Sequence, residues 1–271
     1  MVNFICPLCG NELVRSDGSL KCSKGHCFDI SRKGVVNLLI SNKSHHGDDK
    51  RMVNARREFL GKGYYAPLRE RIAGLAVKYA FSGCTVLDCG CGECSYTAAV
   101  DEKFALSGIS ADIIGIDVSK DALSAGASRH TGARLAAASV YAIPLPDKSC
   151  DIVLALFSPF SGSEYLRVLK DGGVYITAFP LEDHLFELKQ AVYDVPYKNK
   201  VAPLEVTGFE LLENSDVRFT MQLSANSDII SLFEMTPYCY KTSPADRAKL
   251  DGYDTLTVSA AFGTAVYRKL I

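Results

Sequence analysis

The sequence predicts an α/β protein: a doubly wound, mainly parallel sheet preceded by a small domain held together by a metal. Three observations predict it. From Cys84 onward, short β-rich runs alternate with helix-length segments, the pattern of strands joined by crossover helices. The first of those runs, VLD, opens into a glycine-rich turn, CGCGEC. Ahead of it, residues 1–40 carry Cys6, Cys9, Cys22, His26 and Cys27 but too few apolar side chains to form a core unaided.

The composition agrees with a folded enzyme-sized chain. Of 271 residues, 48% are hydrophobic and 23% charged, which excludes collagen-like or disordered sequence. No apolar run approaches the roughly 18 residues that cross a bilayer, and the N-terminus has no basic region followed by an apolar one. The expectation is a cytoplasmic protein with no membrane partner. Its cysteines cluster near Cys6 and Cys89, as expected for metal binding and local packing rather than disulfides. The net charge of −1 taken alone shows no pull toward nucleic acid. The distribution says otherwise: residues 1–78 carry 14 basic and 7 acidic side chains, residues 79–271 carry 16 and 24.

In chain order, residues 1–40 form the zinc-binding domain. Cys6 and Cys9 are spaced as C-x2-C, and Cys22 and His26 as C-x3-H. The intervening segment is long enough for a hairpin that returns the second pair to the first. Three thiolates and an imidazole make a closed tetrahedral zinc set, with no open position for catalysis. Cys27 competes with His26 for the fourth place. Residues 41–80 form a linker and helical segment. SNKSHHGDDKRM (residues 41–52) is polar and reads as a flexible connection. Phe59, Leu60, Tyr64, Leu68, Ile72 and Leu75 then recur near the helical period, interrupted by Gly61, Gly63 and Pro67, so two helices with a break are expected.

Residues 81–271 form the large domain. CTVLDCG is a strand running into a turn, followed by a helix to Phe104; DIIGIDVS is a strand, KDALSAGASRH a helix, and ARLAAAS, DIVLALF and GGVYITAFP are further strands. The tail segments TMQLS, TPYCY and TLTVSAAFGTAVYRKL read as strand-rich and add antiparallel strands at one edge. Gly90 and Gly92 supply positive φ where backbone lies against a ligand. The dinucleotide fingerprint G-x-G-x-x-G fails, because Ser95 stands at its third glycine. Asp88 just before the turn would repel a pyrophosphate and suits a cofactor with positive charge, such as S-adenosylmethionine. Asp117, ending the next strand, can accept both ribose hydroxyls, and Ser139 can meet the adenine edge.

The series CPLC…CSKGH, FDISRKGVVNLL, ARREFLGKGYYAPLRE, VLDCGCGECSYT, GIDVSK, LKDGGVYITAFP and HLFELK resembles the bacterial 23S ribosomal RNA (guanine-N1)-methyltransferases, from the first cysteine pair to about Lys189. EMTPYCY (residues 234–240) gives a fainter echo. The resemblance implies a Rossmann-like class I methyltransferase sheet and zinc on Cys6, Cys9, Cys22 and His26, leaving Cys27 out. It implies S-adenosylmethionine against Tyr65, the Gly92–Glu93 turn with its neighbours Gly90, Cys94 and Ser95, Asp117, and His184. It also implies a 23S ribosomal RNA hairpin as substrate rather than DNA, and a homodimer. Cys94, where a third glycine is usual, and FSPF (residues 157–160) depart from the family pattern.

Guanine N1 carries a proton that must leave for methylation, so a base or an environment favouring the deprotonated ring is required. Glu182 and Asp183, on the loop after ITAFP, are the catalytic candidates. Phe157 and Phe160 are candidates to stack the target base, and Lys24, Arg32 and Arg56 to grip RNA. Two other classes fit parts of the sequence: a methyltransferase of small molecules or another RNA, and a non-catalytic cofactor-sensing RNA-binding module.

Overall fold

The computed structural model describes residues 1–40, 47–201 and 203–270. The front begins with a three-stranded antiparallel ribbon: β1 (Leu13–Ser16), β2 (Ser19–Cys22) and β3 (Cys27–Asp29). Asp17 and Gly18, both at positive φ, turn β1 into β2, the Asp-Gly hairpin solution that matches strand twist. The short β4 (Val36–Asn37) then leaves the ribbon. It pairs in parallel with β7 (Arg134–Ala137) at the edge of the main sheet. Residues 36–37, inside the expected zinc-binding segment 1–40, thus join the edge of the large sheet. That partner was not legible in VVNLLI, since a two-residue pairing leaves no periodic signal.

Residues 41–46 of the expected connection lie outside the described residues. Its remainder is in part helical: α1 spans Lys50–Gly61, capped by Asp49, whose carboxylate accepts from Met52 N at 2.9 Å. The expected break falls at residues 62–65, with Gly63 at φ +81°. Helix α2 (Ala66–Tyr79) follows, with Pro67 in its first turn, where a missing N–H is harmless.

The main sheet has eight strands in the order β10-β11-β9-β8-β5-β6-β7-β4. Strands β5 (Thr85–Cys89), β6 (Asp112–Asp117), β7, β8 (Cys150–Leu156) and β9 (Leu169–Pro180) are parallel. Between them run α3 (Ser95–Leu106), α4 (Lys120–Gly126) and α5 (Gly162–Val168). After β9 come α6 (Phe186–Val192), β10 (Phe209–Leu223), α7 (Asn226–Glu234), α8 (Pro244–Ala248) and β11 (Leu256–Lys269). Strands β10 and β11 are the antiparallel edge expected from the tail. TPYCY is not a strand. Pro237–Tyr240 form a 3₁₀ turn in which Thr236 Oγ1 accepts from Tyr238 N, because the proline fixes φ and has no N–H for a ladder.

Alternate residues of the buried strands feed two cores. Val86, Ile152 and Leu154 join the one that holds Leu68 and Ile72 of α2, while Leu87, Val153 and Ala155 join the other, which includes Phe4 and Leu13 of the ribbon. The helical front is tied to the tail by charge. Lys62 and Tyr64 both donate to the buried Asp228 on α7, Arg51 pairs with Glu234, and Lys78 with Glu213 at 2.7 Å.

Candidate active site and metal centre

The ribbon presents its ligands from two tight turns. Gly10 N donates to Cys6 O at 2.8 Å, and Gly25 N to Cys22 O at 2.9 Å, with both glycines at positive φ. The ligand atoms of Cys6, Cys9, Cys22 and His26 all lie within 4.8 Å of one another. His26 Nδ1 is 3.4 Å from the sulfurs of Cys6 and Cys22, and the sulfurs of Cys9 and Cys22 are 3.7 Å apart. These match the edges of a tetrahedron with Zn–S near 2.3 Å and Zn–N near 2.0 Å, roughly 3.8 Å and 3.5 Å. The donor set therefore fits zinc, and the fourth place goes to His26. Cys27 is exposed at the start of β3 and takes no part.

A cavity of about 680 Å³ opens at the carboxyl ends of β5, β6, β8 and β9, the edge at which doubly wound sheets hold ligands. Gly90, with φ +76°, sits where a Cβ would lie 2.5 Å from Ser158 Cβ. Asp117 at the end of β6 is held by two backbone donors, Gly92 N at 2.9 Å and Ser119 N at 2.8 Å. Burial raises its pKa despite those bonds. Glu93 is buried against Arg129, whose Nε donates to its carboxylate at 2.7 Å. The other carboxylate oxygen, Oε1, is buried without a partner, as are Tyr96 Oη and Ser158 Oγ. All three residues line this cavity. Orphaned buried polar atoms are rare in folded proteins, so this wall is built for a polar ligand. The carboxylates Asp117 and Glu93, the backbone-lined turn, and the rings of Tyr65 and Tyr96 fit S-adenosylmethionine, with its ribose diol and positive charge.

Of the residues expected at the cofactor, Tyr65, Gly90, Gly92, Glu93, Ser95, Asp117, Ser139 and His184 line the cavity. Asp88 and Cys94 do not. Asp88 is buried beneath the turn, accepts from Thr97 Oγ1 at 2.6 Å, and has its pKa pushed up to about 7 by burial. It braces the turn against α3 rather than reaching a ligand. Cys94, at φ +62°, turns its sulfur toward Gly126 of α4, where a Cβ would lie 2.5 Å from it, so the glycine there makes room for the side chain. His184 Nδ1 accepts from Ala261 N at 3.2 Å. Burial pushes its pKa down to about 3, leaving a neutral ring whose proton is on Nε2.

The catalytic candidates are not in the cavity. Glu182 is exposed, and Asp183 pairs with Lys198 at 2.8 Å; a loop after the strand end curls them toward solvent, and neither lines the wall. Phe157 lines the cavity at φ +59°, with its ring near Tyr96 and Phe262. Phe160 lies outside, packed edge-on against Tyr165. Lys24 and Arg32 are exposed on the ribbon. Arg56 lies apart from them: it lines the cavity, pairs with Asp48, and donates to Met235 O at 3.3 Å. Sequence reasoning missed Asp48, Asn199, Met235 and Tyr238 in the lining. EMTPYCY carried a signal for the last two, whereas Asn199 sits in a segment with no motif.

The fold and site define a class I S-adenosylmethionine-dependent methyltransferase with an N-terminal zinc ribbon. Residues 4–45 match the family model described as RlmA, N-terminal, and residues 86–173 that of a methyltransferase domain. A 23S rRNA (guanine(748)-N(1))-methyltransferase of Streptomyces fradiae is 33% identical over 95% of this chain and 94% of its own. A protein of Bacillus subtilis named putative 23S rRNA (guanine-N(1)-)-methyltransferase YxjB is 35% identical over 91% of this chain and 90% of its own. A chain in the solved complex containing the Haloferax volcanii Trm112 methyltransferase activator shares the fold, with TM-score 0.53 at 13% identity over 83% of this chain and 100% of that one. The protein belongs to the 23S ribosomal RNA (guanine-N1)-methyltransferase family. No helix among the described residues is long and apolar enough to cross a membrane.

Proposed function

We infer that this protein transfers the methyl group of S-adenosylmethionine to N1 of a guanine in a 23S ribosomal RNA hairpin. The observation that carries the reading is the near-full-length relationship to a ribosomal RNA guanine-N1 methyltransferase. The cavity that Asp117, Glu93 and Phe157 share supports it. Bound in that cavity, S-adenosylmethionine supplies an electrophilic methyl carbon that needs little activation. The protein's task is alignment and exclusion of water. Asp117, its orientation fixed by Gly92 N and Ser119 N, would accept the ribose hydroxyls. Phe157 offers its half-exposed ring as a stacking surface for a base turned out of its helix.

Arg15, Lys21, Lys24 and Arg32 are exposed on the ribbon and give RNA a phosphate grip separate from the chemistry. The enzyme works in the cytoplasm on RNA rather than DNA, without a membrane partner, and as a homodimer. Primer extension on 23S RNA tests the reading, because an N1-methyl blocks the Watson–Crick edge. A new stop dependent on both protein and cofactor is expected; its absence with active, zinc-loaded protein refutes the assignment.

A further inference from the structure

The acceptor side of the cavity is formed by the ends of β8 and β9, the segment around Asn199 and the turn Met235–Tyr238. Among the described residues, none of these segments contributes a carboxylate to the lining. Of the acidic lining residues, Glu93 belongs to the turn after β5 and Asp117 to the end of β6, and Asp48 is paired with Arg56, which also donates to Met235 O. With Asp48, the lining acid linked to this side through Arg56, held in that pair, the surroundings must favour loss of the N1 proton by other means.

Directly behind this wall lies Lys189 of α6, 1% exposed. Its Nζ donates to Asn199 Oδ1 at 2.6 Å and to Tyr197 O at 3.0 Å. It lies 4.4 Å from the ring centre of Tyr197 and 5.0 Å from that of Tyr238. Among the described residues no carboxylate pairs with it. The charged groups nearby are engaged elsewhere: Glu187 accepts from Ser259 of β11, Lys198 pairs with Asp183, and Lys249 pairs with Asp194 and Asp246. Tyr193 bonds to Thr242, and His184 is neutral. A buried ammonium held only by neutral acceptors and aromatic faces is costly to the fold, which asks for a function.

Asn199 carries that charge to the wall. Its Nδ2 donates to Leu181 O and His184 O, and its Oδ1 accepts from both Lys189 and Tyr238 Oη. Both donors and both lone-pair sites are used, so the amide cannot rotate without losing bonds. Tyr238, with its proton directed to Asn199 at 3.3 Å, keeps its oxygen lone pairs free.

We propose that Lys189 is a positioning residue for methyl transfer: its buried charge fixes Asn199 and Tyr238 and stabilises the guanine as its N1 proton departs. The proton leaves N1 to water, and the N1 electron pair forms the bond to the methyl carbon. The carbon–sulfur bond breaks with its electrons passing to sulfur, giving methylguanine, a neutral thioether and one released proton. Negative charge gathers on N1 and O6 before the bond forms, and a fixed positive charge in a low-dielectric wall stabilises it.

This inference rests on the N1 reading above, and the experiment separates the two. Single-turnover methylation of 23S RNA, at saturating RNA and S-adenosylmethionine, is followed from acid to alkaline pH for wild type, Lys189→Met and Asn199→Asp. Methionine keeps the stem in place without charge, and aspartate neutralises the ammonium in place. Loss of the positive charge moves the ascending limb to higher pH by about one unit. Both variants are therefore expected to lose about tenfold on the acid side and to recover at high pH. Cofactor affinity, measured alongside, should stay near wild type in both variants and melting temperature in Lys189→Met, whereas Asn199→Asp, which loses the bonds to Leu181 O and His184 O, should melt lower. A loss uniform across pH, no loss, or loss of cofactor binding in both variants assigns Lys189 to the fold and overturns the proposal. If wild type makes no 1-methylguanine, the N1 reading itself fails.

Discussion

Replacing Gly90 by alanine tests whether the turn after β5 must lie against the loop after β8. Two terms oppose the alanine. At φ +76° a Cβ costs about 1–2 kcal/mol in backbone strain. The added Cβ would also sit 2.5 Å from Ser158 Cβ, roughly 1 Å inside ordinary carbon contact. Forcing the two loops apart costs about 1–3 kcal/mol more. The sum, on the order of 2–5 kcal/mol, lowers the melting temperature by around 10 °C in a domain of this size. Because both loops line the cavity, cofactor affinity measured by calorimetry should fall as well. Gly172 provides the control, with φ +77° but nothing within 4 Å of its added Cβ. Gly172→Ala should show the strain term alone and leave cofactor affinity unchanged. Ser158→Gly removes the opposing carbon, so the Gly90→Ala/Ser158→Gly double variant should regain about 1–3 kcal/mol. Equal losses for the two glycines, or no recovery in the double variant, would refute the reasoning.

Protonation of His184 should limit acid stability. Its pKa is 6.5 unfolded and about 3 folded, so below pH 6.5 the unfolded chain takes a proton the fold refuses. The loss reaches about 2 kcal/mol by pH 5, and His184→Asn should flatten that part of a denaturation-versus-pH curve. Zinc analysis of purified variants should find the metal lost in Cys22→Ala and retained in Cys27→Ala, since only Cys22 is in the tetrahedral set. Phe157→Ala should cut kcat/KM for RNA by about 10–100-fold if its ring stacks the base. Phe160→Ala, outside the cavity, should leave turnover near wild type. Reversing Lys24 and Arg32 together should weaken RNA binding and flatten its salt dependence without touching cofactor affinity; Arg56→Glu should weaken both. Unchanged RNA affinity in the ribbon double variant would put the grip elsewhere.

Much of this was legible in the sequence because the relevant signals are local. A C-x2-C turn aims two thiolates by spacing alone, and Asp117 ends a strand whose apolar run shows where it stops. Even the break between α1 and α2 is written in Gly63 and Pro67. What the sequence hid depends on pairings distant in the chain. β4 meets β7 about a hundred residues later, and Asn199 reaches the cavity only because Lys189 and the backbone of Leu181 and His184 hold it there. Glu182 and Asp183 misled for a related reason. The end of a strand fixes where a loop begins, not which of its side chains turn inward. Asp88 misled differently: an acid before a glycine turn can face a ligand or brace the turn, and only its bond to Thr97 decides.

The opposed charges of front and back have a use inside the molecule before any RNA is met. Several of the basic residues before position 79 are already taken by acids of the back: Arg51 by Glu234, Lys62 by Asp228 and Lys78 by Glu213. Exposed pairs such as Lys78–Glu213 contribute little singly. Asp228 is another matter, being buried and held by both Lys62 and Tyr64, since stranding a buried carboxylate is expensive. These contacts bind α1 and the turn after it to α7, immediately before the Met235–Tyr238 turn. Arg56 thereby reaches that turn, donating to Met235 O at 3.3 Å, and with Tyr65 lines the same cavity. Part of the basic excess of the helical segment, Arg51 and Lys62, is therefore spent on holding α1 against α7 beside the active site. Exposed basic charge on the ribbon, at Arg15, Lys21, Lys24 and Arg32, is left for RNA where a zinc-held fold keeps it apart from the acidic cofactor wall.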